Sequence, residues 1–211
     1  MDTLLYILGW VIHFETGFFA MKSSEFLLPL GDKLWQKIIL LITYTFTIGM
    51  VFFIGDPVNL PPTIACFMTA VMISCKGTLL QRFTIGLMFF SASSALNALF
   101  DNLILAHANV PSNVLKLIFW CIFYVLMRHF SPPKDYELSP ALWRLMLLLT
   151  SIPIGIICSV VLLTSPFYVL DDAVKWAFGA CLFFALFSFI GLMWTIIVLA
   201  KQRKMELENM M

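Results

Sequence analysis

The densest group of polar side chains within an apolar part of the chain lies between residues 91 and 102. The sequence there is Ser-Ala-Ser-Ser-Ala-Leu-Asn-Ala-Leu-Phe-Asp-Asn. Ser94, Asn97 and Asp101 are three and four residues apart, so a helix would present them on one face. Such a stripe is suited to a ligand pocket, but it is equally suited to hydrogen bonds between neighbouring helices. Both interpretations stay open for these residues.

Two further pairs of residues stand out within apolar segments. His13 and Glu15 are two residues apart, which places them on different faces of a helix, so they do not form a metal site or a proton relay by themselves. Glu15 needs either a cationic partner or protonation. Pro153 and Gly155 interrupt another apolar segment and predict a kink, which serves either as a hinge or as a packing feature.

No pattern of an enzyme, a metal site or a cofactor site is present in the sequence. The chain has no H-E-x-x-H, no G-x-S-x-G and no phosphate-binding glycine loop. The five cysteines lie inside apolar segments without C-x-x-C spacing, as expected of small buried side chains: Cys66, Cys75, Cys121, Cys158 and Cys181. A net charge of +1 argues against nucleic acid as a partner. We therefore expect neither a cofactor nor enzymatic activity from this chain alone.

The composition is that of an integral membrane protein. Hydrophobic residues make up 61% of the chain and charged residues 12%, with a mean hydropathy of +0.96, against about 45–50% and about 25% in soluble domains. The pattern predicts an all-α bundle of about seven membrane-spanning helices. The apolar segments are Leu4–Met21, Ile38–Ile54, Leu60–Cys75, Phe83–Ala106, Val114–Met127, Leu142–Leu163 and Val174–Ala200. If the first segment, which carries His13 and Glu15, lies in the interface instead, six spans result.

The distribution of basic residues predicts the orientation of these spans. Eleven of the thirteen Lys and Arg residues fall in alternate loops and in the C-terminal tail, and only Lys116 and Lys175 fall on the opposite side. Basic loops stay in the cytoplasm. A chain that spans the cytoplasmic membrane seven times therefore has its N-terminus outside the cell and its C-terminus in the cytoplasm. Asp101 then lies near the outer end of its helix. The loop residues Asp56, Asp171 and Asp172 would form the rim of a ligand pocket there.

The last apolar segment continues into a charged tail without a Gly or Pro. Residues 201–207, Lys-Gln-Arg-Lys-Met-Glu-Leu, are fair to good helix formers, which predicts that the helix extends into the cytoplasm. Ala200 and Leu207 are seven residues apart, as are Lys204 and Met211, a spacing compatible with the start of a coiled coil. An ordinary basic membrane anchor would have a similar composition.

In this arrangement the chain resembles the sensor region of receptor histidine kinases. The closest resemblance is to the accessory-gene-regulator-type, peptide-pheromone group with a GHKL ATPase domain in Gram-positive bacteria. The resemblance rests on the multi-span architecture with an outward polar stripe and on the tail Lys201–Met211. It implies a transmembrane sensor bundle over residues 1–200 and the start of a signalling helix over residues 201–211, where Ala200, Lys204 and Leu207 would carry the output.

The resemblance further implies an extracellular small ligand or peptide, a homodimer in the lipid bilayer, and a two-component kinase to which this region relays its state. The residues leave two other functions open. One is a small transporter or channel, in which Glu15, Asp101 and the Pro153 kink would line a path. The other is a structural membrane subunit without a ligand of its own.

Overall fold

The computed structural model describes residues 2–49, 58–104, 109–132, 136, 138–163 and 172–209, and side chains are described over 6–49, 58–101, 112–132, 136, 138–161 and 174–209. Within these residues the chain forms seven α-helices and one π-helical segment, and the all-α prediction is confirmed for them. The elements are α1 (Asp2–Glu25), α2 (Leu34–Gly49), α3 (Leu60–Ser74), α4 (Leu79–Ala98), the π-helical segment (Leu99–Ile104), α5 (Asn109–Phe130), α6 (Pro140–Leu163) and α7 (Asp172–Asn209).

Four helical stretches are long and apolar enough to cross a membrane. They are Leu79–Asp101, Ser112–Phe130, Pro140–Val161 and Val174–Asn209, and the apolar helices Leu34–Gly49 and Leu60–Ser74 are shorter. Most helices extend beyond the apolar segments seen in the sequence, because polar residues at the ends continue the helix without contributing to hydropathy. The described part of α1 is not among the four stretches.

α4 is the central helix of the bundle. Its apolar stretch is 83% buried, against 28% for that of α5, and it packs against α2, α3, α6 and α7. The run of small residues from Ser91 to Ala95 lets the backbones of neighbouring helices approach closely. Within lipid the hydrophobic effect does not drive helices together, so they associate through such close packing. The polar side chains of α4 from Ser91 to Asn97 are therefore inside the protein and not on its surface.

An aromatic cluster joins α4, α5 and α7. The ring of Phe89 stacks on Trp120 at a centroid distance of 5.8 Å and meets Phe189 edge-on at 5.4 Å. Phe123 also contacts Phe189, at 5.1 Å. These ring contacts hold the last helix against the central one about midway along the bundle.

Three of the basic loops meet at one end of the bundle, which we call the basic end. The amide of Lys76 donates to the carbonyl of Pro29 at 2.8 Å, and the Lys76 ammonium pairs with Asp32 at 2.6 Å. The Tyr136 hydroxyl donates to the carbonyl of Leu27 at 2.8 Å. The short α3–α4 connection requires a backbone with φ of +112° at Gly77, a conformation that glycine adopts without steric cost.

α1 and α2 approach so closely that glycine is required at their crossing. A Cβ atom at Gly17 would lie 2.6 Å from Thr45 Oγ1 and 2.8 Å from the Thr45 backbone. One turn closer to the N-terminus of α1, the imidazole of His13 lies against Gly49, where a Cβ atom on Gly49 would be 3.4 Å from the ring. This crossing fixes the position of α1 and, with it, that of His13.

α7 runs without a break from Asp172 to Asn209. The prediction that the last helix continues beyond Ala200 is confirmed. Every side chain from Lys201 to Asn209 is exposed, and the ion pairs Arg203–Glu206 and Lys204–Glu208 follow the helix at 3.2 and 3.5 Å. The exposed end of α7 contrasts with Ala200, which is 1% exposed within the bundle.

Candidate functional site

A buried ion pair lies at the end of the bundle opposite the basic end. Lys116 Nζ of α5 is 2.6 Å from Asp101 Oδ2 of the π-helical segment, and the two side chains are 2% and 12% exposed. The hydroxyl of Ser112 donates to the other carboxylate oxygen of Asp101. Both oxygens of the carboxylate are therefore engaged by side chains of α5.

The local helix geometry brings these three residues together. Ser112 and Lys116 are four residues apart and share one face of α5. Asp101 lies in the π-helical segment, where i to i+5 hydrogen bonding widens the helix and changes the direction of its side chains. Such π-helical turns occur frequently at functional sites.

α1 reaches the same group of residues through His13. Asn113, next to Ser112 on α5, has its side-chain nitrogen 3.3 Å from His13 Nε2. The ring of Trp10 meets the imidazole edge-on at 5.9 Å. His13 Nδ1 is buried without a hydrogen-bond partner among the described residues. We call Asp101, Ser112, Asn113, Lys116 and His13 the polar cluster.

Asn97 belongs to a different contact. Its side-chain nitrogen donates to the backbone carbonyl of Thr47 on α2 at 2.8 Å, whereas Asp101 bonds to α5. Of the residues in the predicted stripe, Asn97 therefore bonds to α2 and Asp101 to α5.

The serines of α4 lie in the interior of the bundle. Ser91, Ser93 and Ser94 are at most 1% exposed. Ser91 donates to the carbonyl of Met88 at 2.8 Å, while the hydroxyls of Ser93 and Ser94 have no hydrogen-bond partner among the described residues. Their small size, which permits close packing around α4, accounts for their position.

The other predicted residues lie apart from the polar cluster or outside the description. Glu15 is exposed on the surface of α1. α6 stays helical through the buried Pro153 to Leu163, and a Cβ at Gly155 would meet no atom within 4 Å. The predicted rim residues Asp56 and Asp171, and the side chain of Asp172, lie outside the described residues.

Sequence reasoning missed Lys116, Ser112 and Asn113. The distribution of charge predicts that Lys116 lies on the outer side, and the structure shows that its side chain is inside the bundle and paired with Asp101. The available signal was the position of a lysine within an apolar segment, since an ionisable residue there needs a partner. Asp101 is the acidic residue of the neighbouring segment at the same end.

The π-helical segment connects the polar cluster to the last helix. It packs against both α5 and α7.

No protein-family model, no curated protein and no solved structure matches the chain. Within the described residues, no group of three or more His, Cys, Asp or Glu side chains is arranged to hold a metal ion.

Proposed function

We propose that the chain is a membrane-embedded sensory domain that detects an extracellular signal and relays it through α7 to a cytoplasmic kinase. The observation that carries the proposal is the position of the π-helical segment, which bears the buried Asp101 and packs against α7. In the predicted orientation the polar cluster lies at the extracellular end of the bundle, and the exposed end of α7 lies in the cytoplasm.

The buried ion pair supplies a two-state element. An intramembrane charge pair is stable only while both partners remain satisfied. A peptide or small ligand that binds Asp101 or Lys116 from outside competes with the pair. The π-helical segment would then move relative to α7, and α7 would have two positions in equilibrium. The difference in the ligand's affinity for the two states sets how far that equilibrium shifts. The end of α7, with Ala200, Lys204 and Leu207, would carry that shift into the cytoplasm.

The transporter alternative requires Glu15, Asp101 and Pro153 to line one path. Glu15 is exposed on α1, whereas Asp101 lies within the bundle against α5. This separation supports the sensory proposal over the transporter. If transport nevertheless occurs in proteoliposomes and depends on Glu15, the sensory proposal is wrong.

The test of ligand detection is hydrogen exchange of α7 amides in lipid nanodiscs. The probe is the peptide fraction of the host's culture medium, added to the wild-type chain and to three variants. We expect exchange in residues 201–209 to change in the wild type and in Asp32→Asn, an exposed acid at the basic end. Asp101→Ala should remove the response while the chain still inserts into the membrane, and so should Lys116→Met combined with Asp101→Leu, which leaves no buried charge unpaired.

Two outcomes would contradict the proposal. A normal response of Asp101→Ala would exclude the polar cluster as the ligand site. A wild-type chain that never responds, yet copurifies with a stable partner, would favour a structural subunit. The kinase part has its own test in the coding sequence after the Met211 codon. A frame that continues into a histidine-containing dimerisation region and an ATP-binding domain would support it, and an immediate stop codon would remove the argument from the tail.

A further inference from the structure

An apolar groove of about 240 Å³ lies between α5 and α7. Its walls are side chains that face outward from the bundle, among them Ile122 and Leu126 of α5 and Ile190 and Trp194 of α7, which are 44–57% exposed. The volume is below the about 300–1,000 Å³ typical of sites for drug-sized ligands. The lining side chains are apolar, so an apolar chain suits this groove.

Two aromatic contacts between α5 and α7 lie along the groove. Phe123 meets Phe189 at 5.1 Å toward the middle of the bundle, and Phe130 meets Trp194 at 5.4 Å near the basic end. Between these contacts the two helices leave an open, apolar crevice that faces the surroundings of the bundle. In a bilayer, the molecules that surround this surface are lipids, and an acyl chain is the apolar group they supply.

A basic residue stands where the groove reaches the basic end. The ammonium of Lys201 lies 6.0 Å from the centroid of the Phe130 ring, which places it at the mouth of the groove. Lys201 has no carboxylate partner among the described residues, whereas Arg203 and Lys204 farther along α7 are paired with Glu206 and Glu208.

We propose that an anionic phospholipid binds here, with an acyl chain in the α5–α7 groove and its phosphate at Lys201. The cytoplasmic leaflet, where the basic end is predicted to lie, is the source of anionic headgroups. The bound lipid contacts α7 on the side that faces α5, next to the residues that lead into the exposed helix end. This binding does not depend on the extracellular ligand, and it makes the position of α7 sensitive to lipid composition.

Trp194 lines the groove and reports on its occupant. The chain is reconstituted in phosphatidylcholine vesicles with equal mole fractions of dibrominated phosphatidylglycerol or dibrominated phosphatidylcholine. The Trp194 signal is the fluorescence of the wild-type chain minus that of Trp194→Phe. We expect stronger quenching of this signal by the brominated phosphatidylglycerol, because the headgroup charge holds its acyl chain in the groove.

Charge variants separate a defined site from general surface attraction. Lys201→Gln should reduce the preference for phosphatidylglycerol by about fivefold, the effect of about one charge near the headgroups. Arg144→Gln is the matched control, since Arg144 is an exposed basic residue at the start of α6, and it should leave the preference unchanged.

Three results would overturn the proposal. The first is equal quenching by the two brominated lipids in the wild type. The second is a loss of preference in Arg144→Gln as large as that in Lys201→Gln, which would indicate surface charge without a site. The third is protection of Trp194 from both lipids that increases with the protein-to-lipid ratio, which would show a second copy of the chain in the groove.

Discussion

Lys116 Nζ and Asp101 Oδ2 are 2.6 Å apart, in a pair whose two members come from different helical elements. The pair is the main electrostatic link between α5 and the π-helical segment, and it is almost fully removed from the surface. A charge pair in such a position is stable only while both members are present, because either one alone would be an uncompensated buried charge.

Breaking the pair on one side should be far more harmful than removing both charges. We expect Lys116→Met to lower the free energy of unfolding by about 3–5 kcal/mol, while Lys116→Met combined with Asp101→Leu should recover most of that loss. Thermal unfolding of the single and double variants in nanodiscs measures the coupling. Additive losses in the double variant would show that the two residues do not interact.

The hydrogen bond from Asn97 to the Thr47 carbonyl should contribute modestly to stability. Interhelical hydrogen bonds in membranes average about 0.6 kcal/mol, with values up to about 1.7. We expect Asn97→Leu to lower the unfolding free energy by about 0.6 kcal/mol, and by no more than about 1.7 kcal/mol. Ser91→Ala is the control, because Ser91 bonds only within its own helix, and it should be nearly neutral. Equal losses in both variants would contradict this assignment.

The crossing of α1 and α2 should not accept a side chain at Gly17. The Cβ of Gly17→Ala would come within 2.8 Å of the Thr45 backbone, so the helices must separate, at a cost of about 1–3 kcal/mol. Gly9→Ala is the matched control on the same helix, where a Cβ meets nothing within 4 Å, and its better helix propensity makes it neutral or slightly stabilising. Unfolding by a graded detergent series compares the two, and a stable Gly17→Ala would refute the close crossing.

The ion pair between Lys76 and Asp32 should make a pH-dependent contribution at the basic end. The hydrogen bond from Lys76 holds the pKa of the Asp32 carboxyl below its ordinary value. The pair therefore stabilises the folded chain above the unfolded pKa of about 3.9, and this stabilisation is lost as the pH falls through the lower folded value.

The difference in midpoint temperature between the wild type and Lys76→Gln should therefore be small at neutral pH and disappear in acid. Lys33→Gln should show no such dependence. Lys33 is exposed in the α1–α2 loop, next to Asp32, and it has no ion pair among the described residues. A difference that instead increases toward low pH would contradict the sign of this linkage.

Labelling from outside intact cells tests the orientation of the bundle. Val58 precedes α3 at one end and is 74% exposed, while the exposed Ser139 precedes α6 at the basic end. A membrane-impermeant maleimide should modify Val58→Cys and not Ser139→Cys, because basic loops are retained in the cytoplasm. Labelling of the unmodified chain measures the background from its own cysteines. The reverse pattern would invert the predicted topology.

The positions of the helices were predictable because hydropathy and helix propensity act locally. The apolar segment from Leu60 to Cys75 corresponds to α3, which ends at Ser74, and the helix-forming tail predicted the continuation of α7 to Asn209. Each of these features depends on residues within a few turns of one another, so neighbouring sequence is sufficient information.

The composition of the polar cluster depended on tertiary structure. Asp101 was a candidate from its type alone, but its partners Ser112 and Lys116 follow after a connection and lie on another helix. Asp101 lies in the π-helical segment, which has no sequence signal as clear as hydropathy. The sequence by itself determined where helices form and which end carries the basic residues. Only packing decided which polar groups pair, because helices with similar apolar surfaces can associate in many ways, and close contacts and satisfied charges select one of them.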